Sequence, residues 1–292
     1  MKLGIMGGSG LYEMEELTAV KRVAVKTPFG DPSDKFTCGK LDGRDVVFLP
    51  RHGVGHCIMP SEINYRANVC ALKILGVDRV VSVSAVGSLK EKYRPGDIVL
   101  PDQYFDRTKG SDRHTFFGNG IVAHVSFADP VCAELGKTIA GAARKVIAGK
   151  PKADIRVFDG GVYVNMEGPA FSTKAESNVY RKLGFDVIGM TSLGEAKLCR
   201  EAGLCYQAMA MVTDYDCWHQ TEESVNIEML LRVLKANVGL ARDIISQLAS
   251  VLPEKSNCGC AEFMNTAIVT DPARMSAAAK KRLKPIIGRY LT

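Results

Sequence analysis

Aromatic residues are scarce in this chain of 292 residues, at 7%, and there is one tryptophan. No window approaches the ~18 consecutive apolar residues that a membrane helix needs. The opening, Met1-Lys-Leu-Gly-Ile5, runs straight into a glycine turn without the long apolar stretch of a secretory leader, so a cytoplasmic protein is expected. No cluster of Lys and Arg forms a stripe suited to nucleic acid, and the net charge is only +6. A small anionic ligand is the more economical reading of that balance. A P-loop is missing, since no Gly-Lys-Ser/Thr follows the first glycines. A dinucleotide fingerprint is missing too: reading G-x-G-x-x-G from Gly8 puts Glu13 where glycine is required. There is no internal repeat and no low-complexity tract. What is present is 46% apolar content, enough for one large α/β domain with a full core.

Short apolar runs alternate with helical patterns. Strands are expected at 2–6, 46–49, 79–84, 97–100, 156–158, 186–188 and 204–212. Helices are expected at 61–75, 129–148, 173–183 and 192–202, and a long amphipathic helix at 222–252 stops before Pro253. This alternation predicts a sheet covered by helices on both faces. Thr173-Lys-Ala-Glu176 and Ser192-Leu-Gly-Glu195 both fit the capping-box pattern. One domain, 1–292, is expected, with a basic tail or final helix from about 254.

In open α/β sheets, ligands sit where strands end at their carboxyl edge. The first strand ends in Gly7-Gly-Ser-Gly10, which is either an anion cradle of backbone N–H groups or a tight structural turn. The second ends in Arg51-His52, and arginine is the side chain suited to bidentate phosphate contact. Ser9, Ser84 and Thr191 follow other strands and add neutral donors. One strong positive charge with several hydroxyls fits a single inorganic phosphate.

The last strand, Gln207-Ala-Met-Ala-Met-Val212, ends in Asp214 and Asp216, followed by Cys217 and Trp218. Paired acids suit a metal, a glycosidic bond or a purine. No third ligand or histidine accompanies them for a metal. A buried carboxyl beside another acid holds its proton more tightly and can then hydrogen-bond purine N7. A loop or cap acid is the plain alternative; it is favoured at Asp216, and function at Asp214. Trp218 is expected to anchor the loop in the core.

These motifs together resemble the trimeric purine nucleoside phosphorylases. The likeness runs through "GIMGGSGLY", "TPFGDPSD", "LPRHGVGHCIMPSEINYRAN", "VSAVGSL", "PGDIVLPDQYFDRT", "MEGPAFSTKAES", "IGMTSLGEAKLCREAGLCY" and "MVTDYDCW", covering about residues 3–250 in order. The resemblance implies an α/β single domain with a central mixed twisted sheet flanked by helices. It also implies phosphorolysis of 5′-methylthioadenosine in purine and methionine salvage, with adenosine or 6-oxopurine nucleosides as a broader alternative and nucleoside binding without turnover as a remote one. By resemblance, Ser9, Arg51, His52, Ser84, the Ala85 backbone and Thr191 hold phosphate, and Met190 lies against the ribose. Asp214, the catalytic acid, and Asp216 address the base, with Phe171 and Ser172 nearby. Ile227 and Leu230 line the 5′ pocket, and His124 reaches it from a neighbouring subunit of a homotrimer or dimer of trimers. Relatives acting on 6-oxopurines carry Glu at Ser172 and Asn at Asp214, so a 6-aminopurine is implied. No metal or organic cofactor is implied; inorganic phosphate is the co-substrate. Two departures stand out: Ser9 where Thr is commoner, and Gly194 where Pro is, which is expected to loosen a helix start.

Nine cysteines are many for a cytoplasmic chain. Cys38, Cys57, Cys70, Cys132, Cys199, Cys205 and Cys217 are scattered, mostly in apolar surroundings, and read as inert thiols. Cys258-Gly-Cys260 lies in a polar stretch and reads as a redox pair or half of a zinc site. No second pair is near it in sequence, which weighs against metal.

Overall fold

The computed structural model describes residues 1–8, 10–150, 154–219 and 227–290, with backbone alone at 111–112 and 227–231. In chain order the elements are β1 (Lys2–Gly7), β2 (Thr18–Val23), β3 (Phe36–Leu41), β4 (Arg44–Pro50), α1 (Tyr65–Ile74), β5 (Val77–Ser88), β6 (Ile98–Leu100), β7 (Gln103–Arg107), α2 (Ala133–Ala148), β8 (Val157–Asp159), β9 (Val162–Met166), α3 (Lys174–Lys182), β10 (Val187–Gly189), α4 (Ser192–Glu201), β11 (Cys205–Asp214), α5 (Ile227–Val251) and α6 (Ala277–Ile287). The strands form one mixed sheet ordered β2-β3-β4-β1-β5-β10-β9-β7, with β11 on β5, β6 on β11 and β8 on β6.

β5 and β11 are the axis of the sheet. β11 is buried along nine of its ten residues, because β5 and β6 flank it and helices cover both faces. Burial on both faces is why it reads as an unbroken apolar run rather than an alternating one. On one face α1, α4 and α6 pack through Val69, Leu72, Leu198 and Leu283. On the other α2 and α5 pack through Leu135, Ile139, Ile244 and Leu248. Each such side chain contributes roughly 1.5–3 kcal/mol by leaving water. Leu283 and Ile287 are fully buried in the first of these cores, packing the last helix together with α1 and α4. Among the described residues no helix is long and apolar enough to cross a membrane.

Several boundaries differ from expectation for identifiable reasons. α1 starts at Tyr65 because Pro60 opens a 3-10 turn, and the Asn64 side chain caps the helix by accepting from the Ala67 N–H. The capping box at Thr173 and Glu176 forms. The one at Ser192 does not: Thr191 occupies the cap position without a side-chain bond, and Glu195 is drawn to Arg51 instead. Strands β2, β3, β7 and β9 were not expected. β2 reads as a polar segment because it is exposed along most of its length at the sheet edge. α4 begins at Ser192 and includes Gly194. A β-carbon there would lie 2.7 Å from the His114 ring, so glycine is what lets that buried histidine pack against the helix. Cys132 and Cys205, read as isolated core thiols, converge in space on Cys258 and Cys260.

Candidate active site

Strand register gathers the chemistry at one sheet edge. β1 and β4 run parallel with Gly7 opposite Pro50, so the first glycine loop and Arg51 emerge side by side. β11 runs parallel to β5 with Ala210 opposite Ser84, Met211 opposite Ala85 and Asp214 opposite Gly87. β10 runs antiparallel to β5 with Val187 opposite Ser88 and Ile188 opposite Gly87. Beyond that pairing β10 ends at Gly189, and Met190 and Thr191 form the connection to the start of α4. The strand expected to end at residue 84 continues as β5 to Ser88, with Ala85 exposed and Ser84 buried.

Arg51 is almost fully buried and held from several sides. Its Nη1 donates to the Val83 carbonyl (2.9 Å), and its Nη2 to the Met6 carbonyl (2.9 Å) and the Ser82 hydroxyl (2.7 Å). Nε lies 2.7 Å from Glu195 Oε1 but off the N–H axis, which makes that contact an ion pair rather than a directed hydrogen bond. Glu195 Oε2 accepts from the Ser82 hydroxyl (2.6 Å) and the Tyr206 hydroxyl (3.1 Å). A buried charge is costly without a partner, and here Glu195 supplies one. Of its five N–H groups, one Nη1 hydrogen and the Nε hydrogen have no hydrogen-bond acceptor among the described residues. Sequence reasoning missed Glu195, whose place in a capping-box pattern masked its role.

His52 is half-buried, with Nδ1 2.9 Å from the Ile58 carbonyl and its ring stacked on His56 at 4.2 Å. A carbonyl can only accept, so Nδ1 carries the proton. Burial lowers the imidazole from 6.5 to about 4, which leaves the ring neutral near pH 7 with Nε2 as an acceptor. Ser84 Oγ sits 3.2 Å from the buried Tyr163 hydroxyl. That hydroxyl fills the space where any side chain at Gly189 would stand, fixing the approach of β10 to β9.

Asp214 closes β11. Its Oδ2 accepts from the Thr213 hydroxyl and its Oδ1 from the Asp216 N–H, both at 2.7 Å. The second bond closes a tight turn in which Asp216 takes a positive φ of 53°. Burial raises Asp214, against the two hydrogen bonds that favour its carboxylate. Burial likewise raises Asp216, with Asp214 adding to the shift. A β-carbon at Gly87 would lie 3.1 Å from Asp214 Oδ1 and 3.3 Å from Asp216 Cβ, so glycine there makes room for both acids. Trp218 anchors the loop: its Nε1 donates to the Ser88 carbonyl (2.7 Å), and Arg181 lies over its ring at 3.6 Å.

The remaining candidates are placed less centrally. Met190 packs its sulfur against Gly168, where a β-carbon would stand 2.6 Å away. The Ser172 carbonyl accepts from Cys217 Sγ (3.3 Å), which ties its loop to the acids. Phe171 is 76% exposed. His124 is exposed, its N–H bonded to the Ala267 carbonyl (2.8 Å). Ser9 lies outside the described residues, as do the side chains of Ile227 and Leu230. Among the described residues the acid pair is not joined by a third metal-ligating atom; the one convergence of that kind is the cysteine cluster.

The sequence profile of the phosphorylase superfamily matches residues 2–250. A protein of Geobacter sulfurreducens named S-methyl-5′-thioadenosine phosphorylase is 52% identical over 289 residues, covering 99% of each chain. A crystal structure of methylthioadenosine phosphorylase from an antarctic soil metagenomic library superposes with a TM-score of 0.90 at 46% identity, covering 97% of this chain and 98% of that one. Methylthioadenosine phosphorylase from Schistosoma mansoni in complex with adenine superposes with a TM-score of 0.80 at 37% identity, covering 88% and 93%.

Proposed function

The chain belongs to the phosphorylase superfamily, and we propose that it cleaves 5′-methylthioadenosine with inorganic phosphate, giving adenine and 5-methylthioribose 1-phosphate. The observation that carries this reading is the register that brings Ser84, Ala85 and Asp214 to the sheet edge where Arg51 and His52 also emerge, with Met190 and Thr191 directly following β10, which pairs with the same strand. The names of relatives at about half identity over their full length support the substrate.

A phosphate oxygen attacks C1′ as the C1′–N9 bond breaks, through an oxocarbenium-like centre. Arg51, His52, Ser84, the Ala85 backbone, Thr191 and Ser9 hold the phosphate below the ribose, so proximity replaces a bimolecular encounter. The bond pair flows into the purine, and the Asp214 carboxyl gives its proton to N7. The proton that phosphate sheds on becoming an ester replaces it. Burial suits Asp214 to this role because it keeps the acid protonated above the ordinary carboxylate range. Glu195 touches no substrate; it fixes the Arg51 guanidinium.

Asp216, Ser172 and Phe171 border the base, Met190 the ribose, and Ile227 and Leu230 the 5′-methylthio group. His124 completes the 5′ pocket of a neighbouring subunit in a homotrimer or dimer of trimers. The exposed Val122 (48%) and Val269 (65%) beside its segment support an interface there. Cytoplasmic purine and methionine salvage follows from the substrate. No cofactor enters the scheme. Incubation with methylthioadenosine, adenosine and inosine, each with and without phosphate, tests it. Fastest phosphate-dependent release of adenine from methylthioadenosine is expected, and preference for inosine would overturn the substrate.

A further inference from the structure

Four cysteines from three distant segments share one centre on the far side of the domain from the candidate active site. Cys132 precedes α2, Cys205 opens β11, and Cys258 and Cys260 lie beyond α5. Their Sγ atoms all lie within 4.8 Å of one another. Cys205 and Cys258 are 3.2 Å apart, and all nine cysteines are free thiols. A zinc ion bound tetrahedrally by four thiolates at ~2.3 Å spaces its sulfurs by about 3.8 Å, inside that range, whereas a disulfide needs ~2.0 Å. Asp214, at the other end of β11 from Cys205, is nine residues and roughly 30 Å away.

We propose that Cys132, Cys205, Cys258 and Cys260 form a closed structural site for zinc that fastens the segment after α5 to the start of α2 and to the central strand. The backbone prepares the site: the Cys132 N–H donates to the Tyr206 carbonyl (2.8 Å), fixing the loop before α2 against β11. The surroundings suit thiolates. The Leu135 N–H at the start of α2 donates to Cys132 Sγ (3.5 Å), and Ser256 Oγ lies 2.9 Å from Cys258 Sγ. A zinc tetrathiolate carries two negative charges, and the buried Arg200, stacked on Phe263 at 3.7 Å, has Cys260, Cys132 and Cys205 among its electrostatic neighbours. Such outer partners are what hold and tune a metal's ligands. Cys258 is only half-buried, which gives the ion a path from solvent. With four protein ligands no position stays open for substrate, so the site is structural.

The test is metal analysis of the intact protein purified without chelator from zinc-supplied cells, alongside Cys258→Ser and Cys260→Ser. The wild type should carry about one zinc per chain, and cobalt substitution should produce intense thiolate-to-cobalt charge-transfer absorption. Both variants should lose the metal and melt several degrees lower, with kcat/KM for nucleoside cleavage unchanged well below their Tm. A wild-type chain without zinc, and without the charge-transfer band on adding cobalt, would overturn the proposal. Its unreduced mass would then assign the sulfurs, a deficit of two or four hydrogens meaning disulfides and no deficit meaning plain thiols.

Discussion

Replacing Asp214 with asparagine separates its chemistry from its structural role. Both bonds that Asp214 accepts favour its carboxylate, but the amide oxygen of asparagine can still take the Asp216 N–H, now at 2.7 Å. The Thr213 hydroxyl loses its acceptor at Oδ2 but already lies 3.2 Å from the Val86 carbonyl, to which it can turn. One exchanged hydrogen bond is worth about 1 kcal/mol, and removing a carboxyl that burial disfavours offsets part of that. The fold should therefore survive with a Tm within a few degrees of wild type. Catalysis should not, because an amide cannot give N7 a full proton. A general acid contributes ~10²–10⁴-fold, so kcat/KM for methylthioadenosine should fall by about that factor. Inosine should lose far less, since its base presents an oxygen and not an amine, and the asparagine amide can donate to N7 and that oxygen. Spectrophotometric release of adenine and of hypoxanthine, with a thermal melt of each protein, reads both quantities. Equal losses on the two nucleosides with an unchanged Tm would refute the assignment of Asp214 to the base.

Other outcomes follow from the same geometry. Arg51→Ala should abolish phosphate-dependent cleavage and lower stability by about 3–5 kcal/mol in a denaturant titration, because Glu195, 1% exposed, is left charged and unpaired; unchanged stability would mean that Glu195 has another partner. His52, lowered by burial from 6.5 to about 4, excludes a proton that the unfolded chain binds, so its contribution to stability is full above about 6.5 and is lost as pH falls toward 4. Its ring proton resonance in NMR should titrate with a midpoint near 4, and a midpoint near 6.5 would contradict a buried neutral ring. Ile227→His should lower kcat/KM for methylthioadenosine about tenfold while sparing adenosine; parallel losses would place the 5′ pocket elsewhere.

The strand ends were legible because β1, β4 and β11 are apolar runs that give way abruptly to a glycine turn after Gly7, to Arg51 and to Asp214. The far half of β5 was not, since Ala85-Val-Gly-Ser88 has the composition of a turn and is held as strand only by β10 and β11 on its two sides. Glu195 was hidden for a related reason. Its spacing from Ser192 satisfies a local rule, and the buried guanidinium that overrides the rule lies 144 residues earlier. The cysteine cluster is wholly tertiary: only Cys258 and Cys260 are neighbours in the chain, and the fold supplies the other two. Edge strands such as β2 carry little apolar signal because little of them is buried.

Phosphate as the attacking group is the central claim, and following its oxygen tests it most directly. Methylthioadenosine is turned over in ¹⁸O-labelled inorganic phosphate, and the sugar product is read by ³¹P NMR and mass spectrometry. The account predicts a sugar 1-phosphate whose oxygen between C1′ and phosphorus carries the label, with no adenine released when phosphate is withheld. Free methylthioribose carrying solvent oxygen, formed equally fast in phosphate-free buffer, would contradict it.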